Sequence, residues 1–276
     1  MARQPIRRRR LRALPFNRMI PNILTLLALC AGLSAIRYGL IGQWEKALLA
    51  IMAAAVLDGL DGRIARMLKG TSKFGAELDS LADFVSFGVV PPMVLYLWTL
   101  QEAGRFGWIL VLLYSVCMVL RLARFNTLLE DVDQPAWAAN FFTGVPAPMG
   151  AGLVLLPMAL WLVTDSNMFR NPYLVSFVMI SVAALLVSRI PTFSFKKVKI
   201  PSRWVLPTML SVGLYAALLI NTPWATVAVT LLVYLVSIPF GIRAHRRMAE
   251  RGGDEAEEAD ELDEIEEPAD PTAADE

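Results

Sequence analysis

Four aspartates, Asp58, Asp61, Asp79 and Asp83, lie in stretches that otherwise read as membrane-spanning helix. An ionisable side chain at bilayer depth costs roughly 2.5–3.5 kcal/mol even on a lenient scale, so four together need strong compensation. On helices, Asp58 and Asp61 are i, i+3 and Asp79 and Asp83 are i, i+4, so each pair projects from one face. If the two helices fold back as an antiparallel hairpin, the four carboxylates converge and repel unless cations sit among them. One or two hard divalent ions would neutralise the cluster. Oxygen-only ligation with no His or Cys nearby points to Mg²⁺ or Mn²⁺, although ligand type alone also admits Ca²⁺. Gly59, Gly62 and Gly75 leave room for close helix packing or for a large ligand, and beside Arg63, Arg66 and Lys73 the ligand reading is the stronger one. A carboxylate–metal cluster flanked by cations suits a diphosphate.

The elements that must position these residues are apolar helices. Spans are expected at about 21–41, 44–69, 74–100, 106–128, 145–164, 171–189, 203–220 and 224–243, which makes about eight. Pro21 and Asn22 open the first, and Ser72 is the expected N-cap of the third. Lys and Arg alternate strongly between loops. One set holds the N-terminal arginines, Arg66, Lys69, Lys73, Arg121, Arg124, the basic loop Lys196, Lys197, Lys199 and Arg203, and Arg243, Arg246 and Arg247. The other holds little beyond Arg37, Lys46, Arg105 and Arg170. This bias places both termini and the aspartate-bearing turn on the cytoplasmic side, which eight spans satisfy and seven do not.

Composition agrees: the chain is 56% apolar with mean hydropathy +0.51, values of a membrane protein. Its net charge of +1 conceals an asymmetry, because from Glu250 onward there are 14 acids and one Arg, leaving +14 on residues 1–249. The basic part suits anionic headgroups and phosphates, and its position beside membrane spans argues against nucleic acid. The acidic tail, 249–276, reads as disordered. Cys30 and Cys117 read as packing residues, and His245, among arginines, as solvated or headgroup-facing. No cleavable signal peptide is evident; the first apolar run reads as a transmembrane helix. Residues 129–142 read as a cytoplasmic loop with Trp137, Phe141 and Phe142 at the lipid interface, and Pro146, Pro148 and Pro157 are candidates to kink the fifth helix. Arg121 and Arg124, at i, i+3, are either a topology anchor or a fork for a carboxylate or diphosphate, with Asn126 beside them.

The series Asp58-x2-Asp61-Gly62-x2-Ala65-Arg66-x8-Gly75-x3-Asp79-x3-Asp83 resembles, at all eight fixed positions, the signature of the CDP-alcohol phosphatidyltransferase family. Three further segments, Ser80–Gly88, Arg121–Asn126 and Phe141–Pro148, resemble its phosphatidylserine synthase branch of the bacterial membrane-embedded type. The phosphatidylglycerophosphate branch more often has proline and lysine where this chain has Ser80 and Phe84.

The resemblance implies an all-α integral membrane helical bundle in the bacterial inner membrane with its active site facing the cytoplasm. Its six-helix core would occupy 20–190, preceded by a basic segment, 1–19, and followed by two additional helices in 191–248. It implies transfer of a phosphatidyl group from CDP-diacylglycerol to L-serine with release of CMP, two Mg²⁺ or Mn²⁺ ions, and a homodimer. Asp58, Asp61, Asp79 and Asp83 would ligate metal, with Asp83 also the general base, and Gly62, Arg66 and Gly75 would contact the CDP portion. Lys73 could serve the diphosphate, and Arg121, Arg124 and Asn126 serine or the diphosphate. Competing readings are the same chemistry with another acceptor or lipid donor (phosphatidylglycerophosphate-type or archaetidylserine-type), and, more remotely, a divalent cation transporter.

Overall fold

A computed structural model describes residues 19–68, 72–130, 141–188, 191–193 and 204–240. The expectations for the N-terminal arginines, Lys69, Trp137, the basic loop around Lys196, His245 and the acidic tail concern positions outside them. Helices α1 (Met19–Leu40), α2 (Trp44–Met67) and α3 (Lys73–Asp83) come first. A π-helical segment, Phe84–Val89, joins α3 to α4 (Val90–Trp98). There follow α5 (Arg105–Glu130), α6 (Ala147–Thr164), α7 (Pro172–Val187), α8 (Val205–Asn221) and α9 (Pro223–Phe240). Each expected span is thus occupied by a helix or a near-continuous helical rod. Five, Met19–Leu40, Lys73–Trp98, Arg105–Thr127, Ala147–Thr164 and Pro223–Phe240, are long and apolar enough to cross a membrane; α7 and α8 are shorter apolar helices. The chain is an all-helical integral membrane protein, with one small addition: β1 (Phe141–Thr143) pairs antiparallel with β2 (Pro191–Phe193), Phe141 opposite Phe193. The expected loop at 129–142 therefore ends in a strand.

Small residues set the packing of α1. Its buried positions, Pro21, Thr25, Ala28, Gly32, Ala35 and Gly39, recur every three or four residues and form one smooth face. Such a face lets helix backbones approach closely where no hydrophobic effect drives them together. α1 lies along α2 for most of its length and also touches α3, the π segment and α4. A Cβ on Gly32 would stand 2.9 Å from Ser86 Oγ, and one on Gly39 3.3 Å from Leu97 Cδ1. Gly42, at φ +72°, makes the turn into α2.

Proline explains the π segment. Pro91 and Pro92 have no N–H, so the carbonyls one turn earlier, at Phe87 and Gly88, lose the partners that an α-helix would supply. α5 replaces them: the Tyr114 hydroxyl lies 3.4 Å from the Phe87 carbonyl, and Ser115 Oγ donates to the Gly88 carbonyl at 2.9 Å. By contrast, Pro146 and Pro148 sit at the start of α6 rather than kinking it, and only Pro157 lies inside.

α2 and α3 do not form the packed hairpin expected from the sequence. Both rest on α1, and their backbones stay apart while aspartate side chains reach across between them. Tight backbone packing there would leave the facing aspartates no room for a neutralising cation or ligand. The structure keeps a cleft there instead.

Candidate active site

Asp58 and Asp61 sit in the second half of α2, and Asp79 and Asp83 in the second half of α3. Carboxylate oxygens of Asp58, Asp61 and Asp79 lie within 4.8 Å of one another. Asp83 is not in that trio, but its carboxyl group lies beside that of Asp58, and Arg121 on α5 is near enough to act on it electrostatically. Two carboxylates tolerate such closeness only with a proton or a cation between them. α3 is started where expected, Ser72 Oγ accepting from the Gly75 N–H at 3.0 Å.

The residues fit a divalent cation on grounds independent of spacing. Asp79 Oδ1 is buried with no hydrogen-bond partner, a costly state for a carboxylate oxygen that coordination removes. Among the described residues, the clustered side chains offer only carboxylate oxygens. Asp61, 3% exposed, is oriented by Thr25, whose Oγ1 donates to Asp61 Oδ2 at 2.7 Å with the Pro21 carbonyl also 3.0 Å away.

Beside the trio is a cavity of about 340 Å³ bounded by the first turns of α1, the end of α2 and the start of α3. Asp61, Gly62, Arg66, Gly75 and Asp79 line it, together with Asn22 and Thr25. No atom lies within 4 Å of where a Cβ on Gly59 or Gly62 would stand, so neither glycine is required by helix packing. Gly75 differs: a Cβ there would meet Asn22 Oδ1 at 2.9 Å and Ser72 Oγ at 3.1 Å. Lys73 is exposed and does not line the cavity.

The residues expected on the acceptor side have protein partners. Arg121 Nε donates to the Val145 carbonyl at 2.7 Å, with its guanidinium 5.9 Å from the Phe125 ring centre. Arg124 Nη1 donates to the Val187 carbonyl at 2.8 Å. Asn126 Nδ2 donates to Ser80 Oγ at 3.0 Å. These bonds tie together segments distant in the chain: α3 to α5, and α5 to the start of α6 and the end of α7. Asn22 and Thr25 are the site residues that the sequence did not reveal. Their only signal was position, three apart near the start of α1.

Known proteins resemble this chain over most of its length. The pattern described as CDP-alcohol phosphatidyltransferase matches residues 18–188, and that described as CDP-alcohol phosphatidyltransferase 2 matches residues 203–239. The CDP-diacylglycerol–serine O-phosphatidyltransferase of Mycobacterium tuberculosis (strain H37Rv) is 41% identical over 232 residues, covering 84% of this chain and 81% of that protein. Proteins of the same name from Helicobacter pylori (strain 26695) and Bacillus subtilis (strain 168) are 34% identical over 221 residues and 35% over 178, covering 79% and 64% of this chain and 88% and 92% of their own lengths. With the aspartate cluster and its cavity in place, these matches mean that the chain belongs to the CDP-alcohol phosphatidyltransferase family.

Proposed function

We propose that this protein transfers the phosphatidyl group of CDP-diacylglycerol to the hydroxyl of L-serine, giving phosphatidylserine and CMP. The observation that carries this reading is the Asp58–Asp61–Asp79 trio beside a cavity that Asp61 and Asp79 line together with Gly62 and Arg66. The names of the relatives supply the acceptor.

The donor's diphosphate enters between α2 and α3, over Gly62, where the absence of a side chain leaves the backbone open. Arg66 clamps its oxygens, and Gly75 and Asn22 shape the nucleotide side. Asp58, Asp61, Asp79 and Asp83 would hold Mg²⁺ or Mn²⁺, which, when bound, neutralises the diphosphate and the charge growing on departing CMP. Thr25 fixes the rotamer of Asp61. Asp83 takes the proton of the serine hydroxyl as that oxygen attacks the lipid-side phosphorus. The bond from that phosphorus to the CMP oxygen breaks, and its electron pair leaves with CMP. Attack is direct and in line, because every carboxylate near the phosphorus is committed to metal or to the proton. Arg121, within reach of Asp83, contacts the serine carboxylate or the diphosphate. Arg124 and Asn126, held by Val187 and Ser80, support it. Lys73, exposed at the start of α3, adds positive charge at the entrance.

In this reading the chain crosses a bacterial inner membrane eight times, with both termini and the aspartates at the cytoplasmic side, and works as a homodimer. Residues 20–190 form the catalytic core, 1–19 a basic arm, 191–248 two added helices with a basic loop, and 249–276 an acidic tail. The test is CMP release by purified protein in detergent with Mn²⁺ and CDP-diacylglycerol. Release should require L-serine; equal release with glycerol 3-phosphate or inositol would overturn the acceptor.

A further inference from the structure

Arg121 is half-buried on α5, and a guanidinium placed there must find partners for its N–H groups. Nε is committed to the Val145 carbonyl, and the Phe125 ring centre lies 5.9 Å from the guanidinium carbon. Three further groups are near enough to act on it electrostatically: the Asp83 carboxyl and the hydroxyls of Tyr114 and Tyr234. Tyr114 belongs to α5 itself, and its hydroxyl lies 3.4 Å from the Phe87 carbonyl. Tyr234 comes from α9, beyond the 20–190 core.

The packing of α9 brings Tyr234 to this place independently. Trp224 Nε1, at the start of α9, donates to Glu45 Oε1 at the start of α2 at 3.1 Å, and Trp161 near the end of α6 borders the same cavity as Glu45. α9 therefore runs antiparallel to α6. Gly152 fixes the register, since a Cβ there would stand 2.7 Å from Leu231 Cδ2. Tyr234 is the next turn along α9, while the turns of α6 before Gly152 lead back to Val145, whose carbonyl holds Arg121. Leu231 and Ile238 are buried, and Tyr234 lies between them on the same helix face, packed against the core with its hydroxyl shielded from solvent. Phenylalanine would fill an apolar face as well. A hydroxyl carried into it needs a polar neighbour, and Arg121 is one.

We infer that Tyr234 of α9 is a positioning residue for the acceptor: it holds the guanidinium of Arg121 in the orientation that binds the carboxylate of L-serine. The acceptor rather than the donor is chosen because Arg121 stands on the Asp83 side, whereas the cavity assigned to the diphosphate is lined by Arg66 and not by Arg121. A carboxylate is the anion that a guanidinium with free Nη groups takes in a fixed geometry. The inference rests on the proposed function and deepens its acceptor side.

The test is CMP release by the full-length protein in detergent with Mn²⁺, with L-serine and CDP-diacylglycerol varied in turn. Tyr234→Phe keeps the ring and removes the hydroxyl. It should raise KM for L-serine about tenfold, as loss of a charged group's polar partner does, with kcat and KM for the donor changed less than about twofold. In an Arg121→Lys background the same substitution should have little further effect, because the group it acts through is gone. Multiplying effects of the two substitutions would overturn the inference. Leu231→Ala, one turn away on the same face, should lower the thermal midpoint and leave KM for L-serine as in the parent. An equal rise in that KM would make the effect one of packing and overturn the inference. A rise in donor KM in Tyr234→Phe would put Arg121 on the diphosphate, and a Tyr234→Phe protein too unstable to assay would put the hydroxyl in the fold; either result overturns it. Parent protein without serine-dependent release would refute the transferase reading and the inference with it. Serine-dependent release with an unchanged KM in Tyr234→Phe would refute the inference alone.

Discussion

Asp83 and Asp79 are one turn apart on α3 and have different surroundings. Asp79 has a buried oxygen without a partner and stands in the metal trio, whereas Asp83 faces Asp58 and Arg121. On the proposed roles, Asp83→Asn should lower kcat by roughly 10²–10⁴, the range for a lost general base, while CDP-lipid binding in a pull-down or titration stays measurable. Normal turnover would remove Asp83 from that role. Thr25 acts one step further out, so Thr25→Val should weaken Mn²⁺ binding by about 10–100-fold, as loss of an outer-shell partner does. The activity curve should shift to higher Mn²⁺ with kcat recovered at saturation, and Thr25→Ser should behave like the parent; a kcat loss that Mn²⁺ cannot recover would contradict this. The aspartates were legible because their charge is conspicuous in apolar helices and their spacing fixes a shared face. Thr25 was not, because a hydroxyl in such a helix ordinarily bonds the carbonyl four residues back, and only the fold brings Asp61 within reach.

At the scale of elements, the helices could be read from apolar runs and turn residues, down to Ser72 as the cap of α3. What the runs could not convey was how α2 and α3 stand to each other. A short connection suggests a packed hairpin, but the stripe from Thr25 to Gly39 makes α1 the common partner of both and leaves the cleft that the ligand needs. The π segment was equally hidden, since Pro91 and Pro92 show that carbonyls are freed without showing who satisfies them. Ser115→Ala should leave the Gly88 carbonyl without its side-chain donor and destabilise the protein by about 1–3 kcal/mol, the cost of an orphaned buried polar group. Denaturant unfolding in detergent micelles reads this, and an unchanged midpoint would mean that α5 does not hold the segment.

For the whole molecule, the alternation of basic and neutral loops predicts sidedness. In a background with Cys30 and Cys117 replaced by alanine, Glu102→Cys at the α4–α5 turn should react with an impermeant maleimide added to intact cells. Arg63→Cys at the aspartate end of α2 should react only after lysis, and the reverse pattern would invert the topology. The family core was recognisable from eight fixed positions on two helices, whereas the role of α8 and α9 was not, since their sequences are apolar nearly all round and only the fold brings Tyr234 near Arg121. The central claim is that the aspartate cluster transfers phosphatidyl from CDP-diacylglycerol to serine. Its most direct test is quantification of phosphatidylserine and CMP formed together by the purified protein, alongside Asp79→Asn and a sample stripped with EDTA. The account predicts equal amounts of the two products, loss of both in the variant and after EDTA, and recovery of the stripped sample with Mn²⁺. CMP formed without phosphatidylserine, or full activity in Asp79→Asn, would contradict it.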